Sequence, residues 1–377
     1  MTSLYIHIPF CLHKCAYCDF VSSVCSEDIR SDYADALCRE IVLLSHEYKD
    51  RMIGTIFIGG GTPSCMPYGD ILRIMQTVRR HFDTTRCSEI TIECNPGTVD
   101  ERKLTEYAQC GINRISFGLQ SINNRLLRTI ERIHSYEDFL RSMEMAKSFG
   151  FDNINADIMY GLPGQSTDDF VQTLNAVIKL GLAHISAYSL ILEESTPLYD
   201  MVHSGKLKLP DEDEEYAMHR SAVELLQRSG YHRYEISNYS KPGSECRHNL
   251  VYWNVDEYIG AGVNSHSCVF TDDMQIRYEN YADIASYKRS VGKGCLPISC
   301  KQIIQGMEQM TEYVMLGTRK TNGFSLEEFR RRFNVDFTDA FGEKLRGIDK
   351  RLYVTDDHFY LTDAGLDIQN SVLCDLL

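Results

Sequence analysis

The stretch Tyr5-Ile-His-Ile-Pro-Phe-Cys11-Leu-His-Lys-Cys15-Ala-Tyr-Cys18-Asp-Phe20 decides the fold and the chemistry predicted for this chain. A strand-like segment runs into three cysteines with C-x-x-x-C-x-x-C spacing, which can supply three thiolates to a [4Fe-4S] cube. Four cysteines normally hold such a cube, so one iron would keep a position open. S-adenosylmethionine (SAM) can chelate that iron, and an electron from the cluster can then release a 5′-deoxyadenosyl radical. The spacing therefore predicts a SAM-linked cluster on Cys11, Cys15 and Cys18.

Two other roles for these cysteines are less favoured. Zinc takes four tetrahedral ligands, commonly as two paired halves, and no second C-x-x-C follows in the chain. His13 could complete a zinc site locally, although its spacing is cramped. A disulfide framework is unexpected in a long chain without the features of a secreted protein. Most of the other cysteines are predicted to be small buried hydrophobic residues, among them Cys25, Cys38, Cys65, Cys87, Cys94 and Cys110.

Composition narrows the class of protein. With 377 residues, the chain is long enough for a large α/β domain and a smaller one. It contains no apolar run of about 20 residues and no signal peptide, so we expect no transmembrane segment. Fourteen cysteines suggest a reducing, cytoplasmic location. The net charge of −14 argues against binding to nucleic acid, because phosphates would repel it.

Hydrophobic periodicity predicts strands that alternate with helices. The strands are predicted at Leu4–Ile8, Thr55–Ile58, Glu89–Cys94, Asn113–Phe117, Asn153–Met159 and His184–Ile191, and helices at Asp28–Glu47, Tyr68–His81, Asp100–Gln109, Tyr136–Phe149 and Thr167–Leu180. Such alternation implies βαβ units and a parallel sheet. Six units favour an α/β fold built as a partial (β/α)6 barrel. We expect three parts: the barrel in residues 1–230, a connecting segment in 231–300, and a C-terminal domain in 301–377.

The C-terminal part has a different pattern. A charged surface connection, Lys206–Glu215, is predicted before a helix at Tyr216–Ser229. Ser325-Leu-Glu-Glu328 predicts a capping box that opens a helix. A second helix at Phe337–Ile348, a hairpin around Thr355-Asp-Asp357 and a closing helix from Thr362 or Asp363 are predicted to follow. This order resembles a winged helix. Because its basic and acidic residues nearly balance, a structural or lid role is favoured over DNA recognition.

Polar residues lie at the predicted carboxyl ends of several strands, where the βα loops of a parallel barrel gather functional groups. Gly59-Gly-Gly-Thr-Pro63 follows the second strand, and its glycines should let the backbone approach a ligand with free amide hydrogens. Glu93, Gln120 and Asp157 lie at the ends of the next three strands. Taken singly, each could be a structural polar group, but together they indicate a ligand site beside the cysteine loop.

These segments resemble the family of oxygen-independent coproporphyrinogen III dehydrogenases, which are radical SAM proteins, and their heme-chaperone relatives, the HemW branch. The resemblance covers nearly the whole chain and depends on Tyr5–Cys11, Gly59–Pro63, Arg114–Ser121 and Tyr160–Gln165. It implies a partial barrel with a HemN-type C-terminal domain. It also implies that SAM contacts Tyr5, Gly60, Gly61, Thr62, Glu93, Gln120, Arg132 and Asp157, and that Tyr17 packs by the adenine.

Two departures favour the chaperone branch. The dehydrogenases carry a further cysteine where this chain has Phe20, and an N-terminal extension helps to close their substrate pocket. Here only four residues precede Tyr5, and a radical enzyme needs a sealed pocket. The oxidative decarboxylation performed by that branch remains the alternative function. A radical SAM enzyme acting on another tetrapyrrole has no motif in its support.

The segment Arg247-His-Asn-Leu-Val-Tyr-Trp253 resembles the H-N-x-x-Y-W motif of the chaperones. It implies that heme contacts His248, Tyr252 and Trp253, through an imidazole and two flat rings. Alternatively, Trp253 anchors a domain junction while His248 caps a turn. His266 is a weaker candidate for heme contact. The implied partners are heme, an acceptor hemoprotein and an electron donor for the cluster, and the chain could be a monomer or a homodimer.

Overall fold

A computed structural model describes residues 1–271 and 274–377, and a sheet of twelve strands organises most of them. The six strands predicted from periodicity all form, with ends shifted by a few residues. They are β1 (Thr2–Ile8), β2 (Ile53–Gly60), β3 (Glu89–Cys94), β4 (Arg114–Gln120), β5 (Ile154–Tyr160) and β6 (His184–Ser189). Each pairs in parallel with the next. The predicted α/β fold is therefore confirmed.

Helices cross from each strand to the next, as a parallel sheet requires. They are α1 (Glu27–Glu47), α2 (Asp70–His81), α3 (Glu101–Gln109), α4 (Asn124–Thr129), α5 (Tyr136–Ser148) and α6 (Thr167–Lys179). Ser135 and Ser166 begin α5 and α6 with complete capping boxes. After β6 come α7 (Pro197–His203) and α8 (Glu212–Arg228). Helix α8 begins four residues before its predicted start, because Asp211 accepts a hydrogen bond from Glu214 N and caps it there.

Residues 231–300, predicted as a connecting segment, contribute six strands to the same sheet. The elements are β7 (His232–Arg233), β8 (Asn238–Ser240), α9 (Arg247–Trp253), β9 (Tyr258–Ala261), β10 (His266–Thr271), β11 (Met274–Asn280), α10 (Ile284–Gly292) and β12 (Ile298–Ile304). Strand β9 pairs in parallel with β1, and β10 to β12 extend that side in antiparallel fashion. The end strands β12 and β7 do not pair with each other in the described residues, so the barrel stays open.

The C-terminal part buries aromatic residues in a second core, including Phe324, Phe329, Phe337, Phe341 and Phe359. Val255, Tyr258 and Cys268 of the preceding segment belong to the same core. Its elements are α11 (Met307–Gly317), β13 (Phe324–Ser325), α12 (Leu326–Phe333), α13 (Phe337–Leu345), β14 (Tyr353–Thr355), β15 (His358–Leu361), α14 (Asp363–Asp367) and α15 (Gln369–Leu376). The predicted hairpin forms as β14 and β15.

The predicted capping box at Ser325 forms only in part. Ser325 accepts a hydrogen bond from Glu328 N. The Glu328 carboxylate pairs with Arg331 in a bidentate fashion instead of returning to the cap. A guanidinium three residues along the helix is a stronger partner for a carboxylate than a backbone amide.

No helix in the described ranges is long and apolar enough to cross a membrane.

Candidate functional site

The three cysteines lie on the loop that follows β1, and all three are free thiols. Main-chain hydrogen bonds hold this loop, from Cys11 N to Ser23 O at 3.0 Å and from Ser23 N to Pro9 O at 2.9 Å. Burial raises the pKa of the Cys11 and Cys18 thiols. The hydroxyl group of Thr62, whose Oγ1 lies 3.4 Å from Cys11 Sγ, opposes that effect at Cys11. Arg132 Nη1 lies 3.5 Å from Cys15 Sγ. The loop is therefore ordered, with donors placed to stabilise thiolates.

One cavity gathers the cysteines with nearly all of the residues implied to bind SAM. It is lined by Cys11, Cys15, Cys18, Tyr17, Gly60, Gly61, Thr62, Glu93, Gln120, Arg132 and Asp157. These residues come from the cysteine loop, from the carboxyl ends of β2 to β5 and from the segment that follows α4. In the described part of the chain, no three His, Cys, Asp or Glu side chains converge on a single ion position. That finding is compatible with an iron–sulfur cube, because in a cube each thiolate binds a different iron and the thiolates do not converge on one ion.

Tyr5 lies behind this cavity rather than in its lining. Its hydroxyl group is 3.0 Å from Nδ1 of His7, and its ring stacks on Phe57 with centroids 6.2 Å apart. Burial, and then the charge of Glu93, raises the pKa of Tyr5. Tyr5 therefore supports the cavity floor next to Glu93.

Two recessed carboxyl groups dominate the electrostatics of the cavity. Burial, and to a lesser extent the negative charge of the nearby Asp157, raises the pKa of Glu93 to about 8. Burial also raises the pKa of Asp157, whose Oδ1 accepts a hydrogen bond from Asn155 at 2.7 Å. Each of two neighbouring buried carboxyl groups disfavours the ionised form of the other, and a cationic ligand beside them would favour it. The pair therefore suits the positive charge of a sulfonium or ammonium group.

The glycine loop after β2 packs tightly against the cysteine loop. A Cβ on Gly61 would lie 2.5 Å from Phe10 O, and one on Gly60, which has φ of +114°, would lie 2.6 Å from the ring of His7. The expectation that the amides of this loop are free is wrong. Gly60 N donates to Glu93, Gly61 N to Ile8 O, and Thr62 N to Phe10 O. These glycines are needed because the two loops approach closely.

Asn95 is a residue of this site that sequence reasoning did not select. Its Nδ2 donates to Thr62 Oγ1 at 2.9 Å, and its Oδ1 accepts from Arg132 Nη2 at 2.7 Å. It therefore joins the glycine loop to the arginine beside Cys15. The sequence could have indicated Asn95 as a site residue, because it lies two residues after Glu93 at the end of the same strand. Arg132 Nε is buried without a partner in the described residues.

The motif implied to contact heme packs against the amino ends of β2 and β3 rather than against the carboxyl ends that line the cavity. Glu89, at the start of β3, accepts hydrogen bonds from the first amides of α9, including His248 N at 3.0 Å. The imidazole of His248 is fully buried. Its Nδ1 is 2.7 Å from Thr55 Oγ1, and its Nε2 is 2.9 Å from the Tyr252 hydroxyl group. Both ring nitrogens are therefore occupied by protein groups.

The other two residues of the motif lie beside His248 on α9. Tyr252 and Trp253 are half-buried, and the guanidinium carbon of Arg319 lies 4.4 Å from the centroid of the Trp253 ring. Trp253 Nε1 is buried without a partner in the described residues. The implied heme residues thus lie outside the lining of the cofactor cavity. Phe57 connects the two sets, because its ring centroid is 6.2 Å from that of Tyr5 and 5.3 Å from that of His248.

Comparison with known proteins agrees with this architecture. The family model of the radical SAM superfamily matches residues 5–177, and that of the HemN C-terminal domain matches residues 304–368. The chain is 32% identical over 375 residues to the heme chaperone HemW of Lactococcus lactis, covering 98% of this chain and 96% of that protein. It is 33% identical to HemW of Bacillus subtilis, with 99% and 98% covered. The solved structure of coproporphyrinogen III oxidase (HemN) from Escherichia coli matches with a TM-score of 0.85, 23% identity, and 100% of this chain and 90% of that one covered.

Proposed function

The chain belongs to the HemW family within the radical SAM superfamily, and from that premise we propose that it is a heme chaperone. It would bind heme and transfer it to an acceptor hemoprotein. The observation that carries this proposal is the 32% and 33% identity to HemW chaperones, which spans almost the full length of both chains. Phe20, in place of the further cysteine of the dehydrogenase branch, supports the same choice and is 69% exposed.

Cys11, Cys15 and Cys18 would hold a [4Fe-4S] cluster, and the residues present suit it. All three thiols are free and line one cavity, and donors approach two of them. When bound, such a cluster supplies single electrons to SAM, which is chemistry of the cofactor rather than of the protein. Arg132 would offset the negative charge of the thiolates from its position 3.5 Å from Cys15 Sγ.

SAM would fill the remaining space of the same cavity. Glu93 and Asp157 would attract its cationic groups, and the buried, unpartnered Nε of Arg132 offers a donor to a carboxylate. Tyr17, Gln120 and Thr62 would line its sides, while Gly60 and Gly61 would keep the cavity open by holding the backbone loops close together. In this proposal the cluster and SAM control heme binding and release.

The predicted heme contacts of the H-N-x-x-Y-W motif remain a proposal. Tyr252 and Trp253 offer flat rings on one short helix. His248 would become available to iron only if Tyr252 left its hydrogen bond to Nε2, because Thr55 occupies the other nitrogen. We further propose a cytoplasmic location, an electron donor for the cluster, and no role for nucleic acid, consistent with the net charge of −14.

An anaerobic heme titration of the cluster-reconstituted protein tests the function. We expect saturable binding with a defined Soret band, and transfer of that heme to an added apo-hemoprotein. The matched assay supplies coproporphyrinogen III, SAM and a reductant. Formation of protoporphyrinogen, with SAM consumed in proportion and no specific heme binding, would overturn the chaperone proposal in favour of the dehydrogenase.

A further inference from the structure

A row of buried polar side chains crosses β4, β5 and β6 beside the cofactor cavity. Ser116, Asn155 and His184 occupy paired positions on these neighbouring strands, and each is 5% exposed or less. Side chains two residues apart on a strand point to the same face, so Asp157 lies next to Asn155 on that face. Asp157 lines the cavity in which SAM is proposed to bind. The buried row is therefore in a position to act on a carboxyl group of the cavity.

The side-chain amide of Asn155 makes every hydrogen bond that it can make. Its Nδ2 donates to Asp157 Oδ1 and to Ser116 Oγ, both at 2.7 Å. Its Oδ1 is 2.6 Å from His184 Nδ1 and accepts from Ser186 Oγ at 3.2 Å. A carboxamide has two donor hydrogens and two acceptor lone pairs. All four are occupied by protein groups at Asn155.

The chain of hydrogen bonds continues from His184 to the first residue before α9. His184 Nε2 is 2.8 Å from the Tyr234 hydroxyl group, whose oxygen accepts from Cys246 N at 3.1 Å. A main-chain amide can only donate. The hydroxyl hydrogen of Tyr234 has no other acceptor in the described residues, so Tyr234 donates it to His184 Nε2.

This arrangement determines which nitrogen of His184 carries the proton. Burial, and to a lesser extent the charge of Arg114, lowers the pKa of His184, which keeps the imidazole neutral. A neutral imidazole has one donor and one acceptor nitrogen. Because Nε2 accepts from Tyr234, Nδ1 holds the hydrogen and donates it to Asn155 Oδ1.

Every donor of the chain therefore points toward Asp157. The opposite orientation of the Asn155 amide would place its oxygen against a carboxylate oxygen and its nitrogen against the donating His184 Nδ1. Ser116 Oγ, which accepts from Asn155, has its own hydrogen left for Asp157 Oδ2 at 3.3 Å. Hydrogen bonds donated to a carboxylate favour its ionised form. The chain thus holds Asp157 as an acceptor.

We propose that Asn155 and His184 are positioning residues for SAM, an inference that rests on the SAM site proposed above. His184 would hold the amide of Asn155 in one orientation, and Asn155 would hold the Asp157 carboxylate toward the cavity. An ammonium or hydroxyl group of SAM would then meet an acceptor that needs no reorganisation, which favours binding. The chain begins at Cys246, the residue that precedes α9, so the cofactor cavity and the motif helix share one set of hydrogen bonds.

The first test measures the affinity for SAM of the cluster-reconstituted protein, by anaerobic equilibrium dialysis with radiolabelled SAM. His184→Leu removes the donor and the acceptor, and we expect it to weaken SAM binding by about tenfold. Asn155→Leu should weaken binding at least as much. His184→Gln keeps one donor and one acceptor and should restore most of the affinity. His81→Leu, at an exposed position on α2, should bind SAM as wild type does.

The second test needs neither the cluster nor a variant that folds. Two-bond proton–nitrogen correlation spectra of the cofactor-free wild-type protein, labelled with ¹⁵N-histidine, report which ring nitrogen carries the hydrogen. The resonances of His184 are those that disappear in His184→Gln. We expect the hydrogen on Nδ1, and a hydrogen on Nε2 would reject the direction of the chain and the proposed role.

The outcomes of the binding test separate this inference from the proposed function. Unchanged SAM affinity in His184→Leu would reject the positioning role and leave the SAM site in place. Equal weakening by His184→Leu and His184→Gln would show that the ring only fills space, which also rejects the role. Absence of SAM binding by the reconstituted wild-type protein would reject the SAM site and this inference together.

Discussion

The carboxyl group of Glu93 should make the free energy of unfolding depend on pH, and its raised pKa determines the direction of that dependence. Burial, and then the charge of Asp157, raises its pKa from 4.5 to about 8 in the cofactor-free protein. The folded chain therefore keeps a proton at pH values where the unfolded chain has released it. Stability from such a group is fully present below the unfolded pKa and is lost as the pH rises through the folded pKa. The wild-type protein should thus lose stability, relative to Glu93→Gln, as the pH increases.

The magnitude follows from the two pKa values. Between them, each pH unit changes the free energy of unfolding by about 1.4 kcal/mol. Because pH 5 is close to the lower pKa, the interval from pH 5 to pH 7 corresponds to about 2 to 3 kcal/mol. We expect the stability of Glu93→Gln minus that of wild type to grow by this amount over the interval. Comparing the difference at two pH values removes any constant effect of the substitution.

Equilibrium urea unfolding of the cofactor-free protein, at pH 5 and pH 7, measures this difference. Glu101→Gln, which removes an exposed carboxylate on α3, is the matched control and should show no such change. Glu93→Gln should also bind SAM more weakly after cluster reconstitution, because a neutral amide no longer attracts a cation. A stability difference that is equal at both pH values, or that shrinks as the pH rises, would refute the reasoning.

Three further predictions concern the loops and the short helix of the motif. Cys15→Ser should lose the absorbance and iron of the anaerobically reconstituted cluster, whereas Cys25→Ser should retain both; equal loss would contradict the assignment. Gly61→Ala should destabilise the chain by about 2 kcal/mol in thermal melts, because its Cβ would lie 2.5 Å from a main-chain oxygen of the cysteine loop. Gly292→Ala, with open space around it, should not. Burial lowers the pKa of His248 to about 3, so protonation of the unfolded chain should remove about 2 kcal/mol of stability between pH 7 and pH 5. The stability of wild type minus that of His248→Gln in urea unfolding should fall by about 2 kcal/mol between pH 7 and pH 5, and a difference that is equal at the two pH values would contradict the assignment.

Sequence reasoning predicted the strands and the cysteine loop well because both are local. The period of apolar residues identified β1 to β6, and three closely spaced cysteines need no distant partner to be recognised. It predicted the glycine loop less well. The glycines after β2 were selected correctly as unusual, but for a ligand rather than for contact with Phe10 and His7. Neither contact can be inferred until β1 and β2 are known to be neighbours.

The residues that face each other across long sequence separations needed the tertiary structure. Asn95 joins Thr62 to Arg132, and nothing in the sequence near Asn95 indicates both partners. Within residues 231–300, strand β11 does alternate apolar and polar residues. No local pattern shows that it pairs with β10 and β12, so the place of these strands in the main sheet was not predicted. Sequence pattern reports which face of an element is apolar, whereas it carries little information on which elements pair.

The sequence by itself determined the radical SAM fold class, the cysteine loop and the set of polar strand ends. Those features depend on short-range spacing and on the rule that parallel strands end at one edge. Only the tertiary structure decided which imidazole is accessible. His248 belongs to a motif but is buried between Thr55 and Tyr252, while the side chain of His266 on β10 is exposed. Accessibility depends on the whole chain packed around a side chain, and no local pattern encodes it.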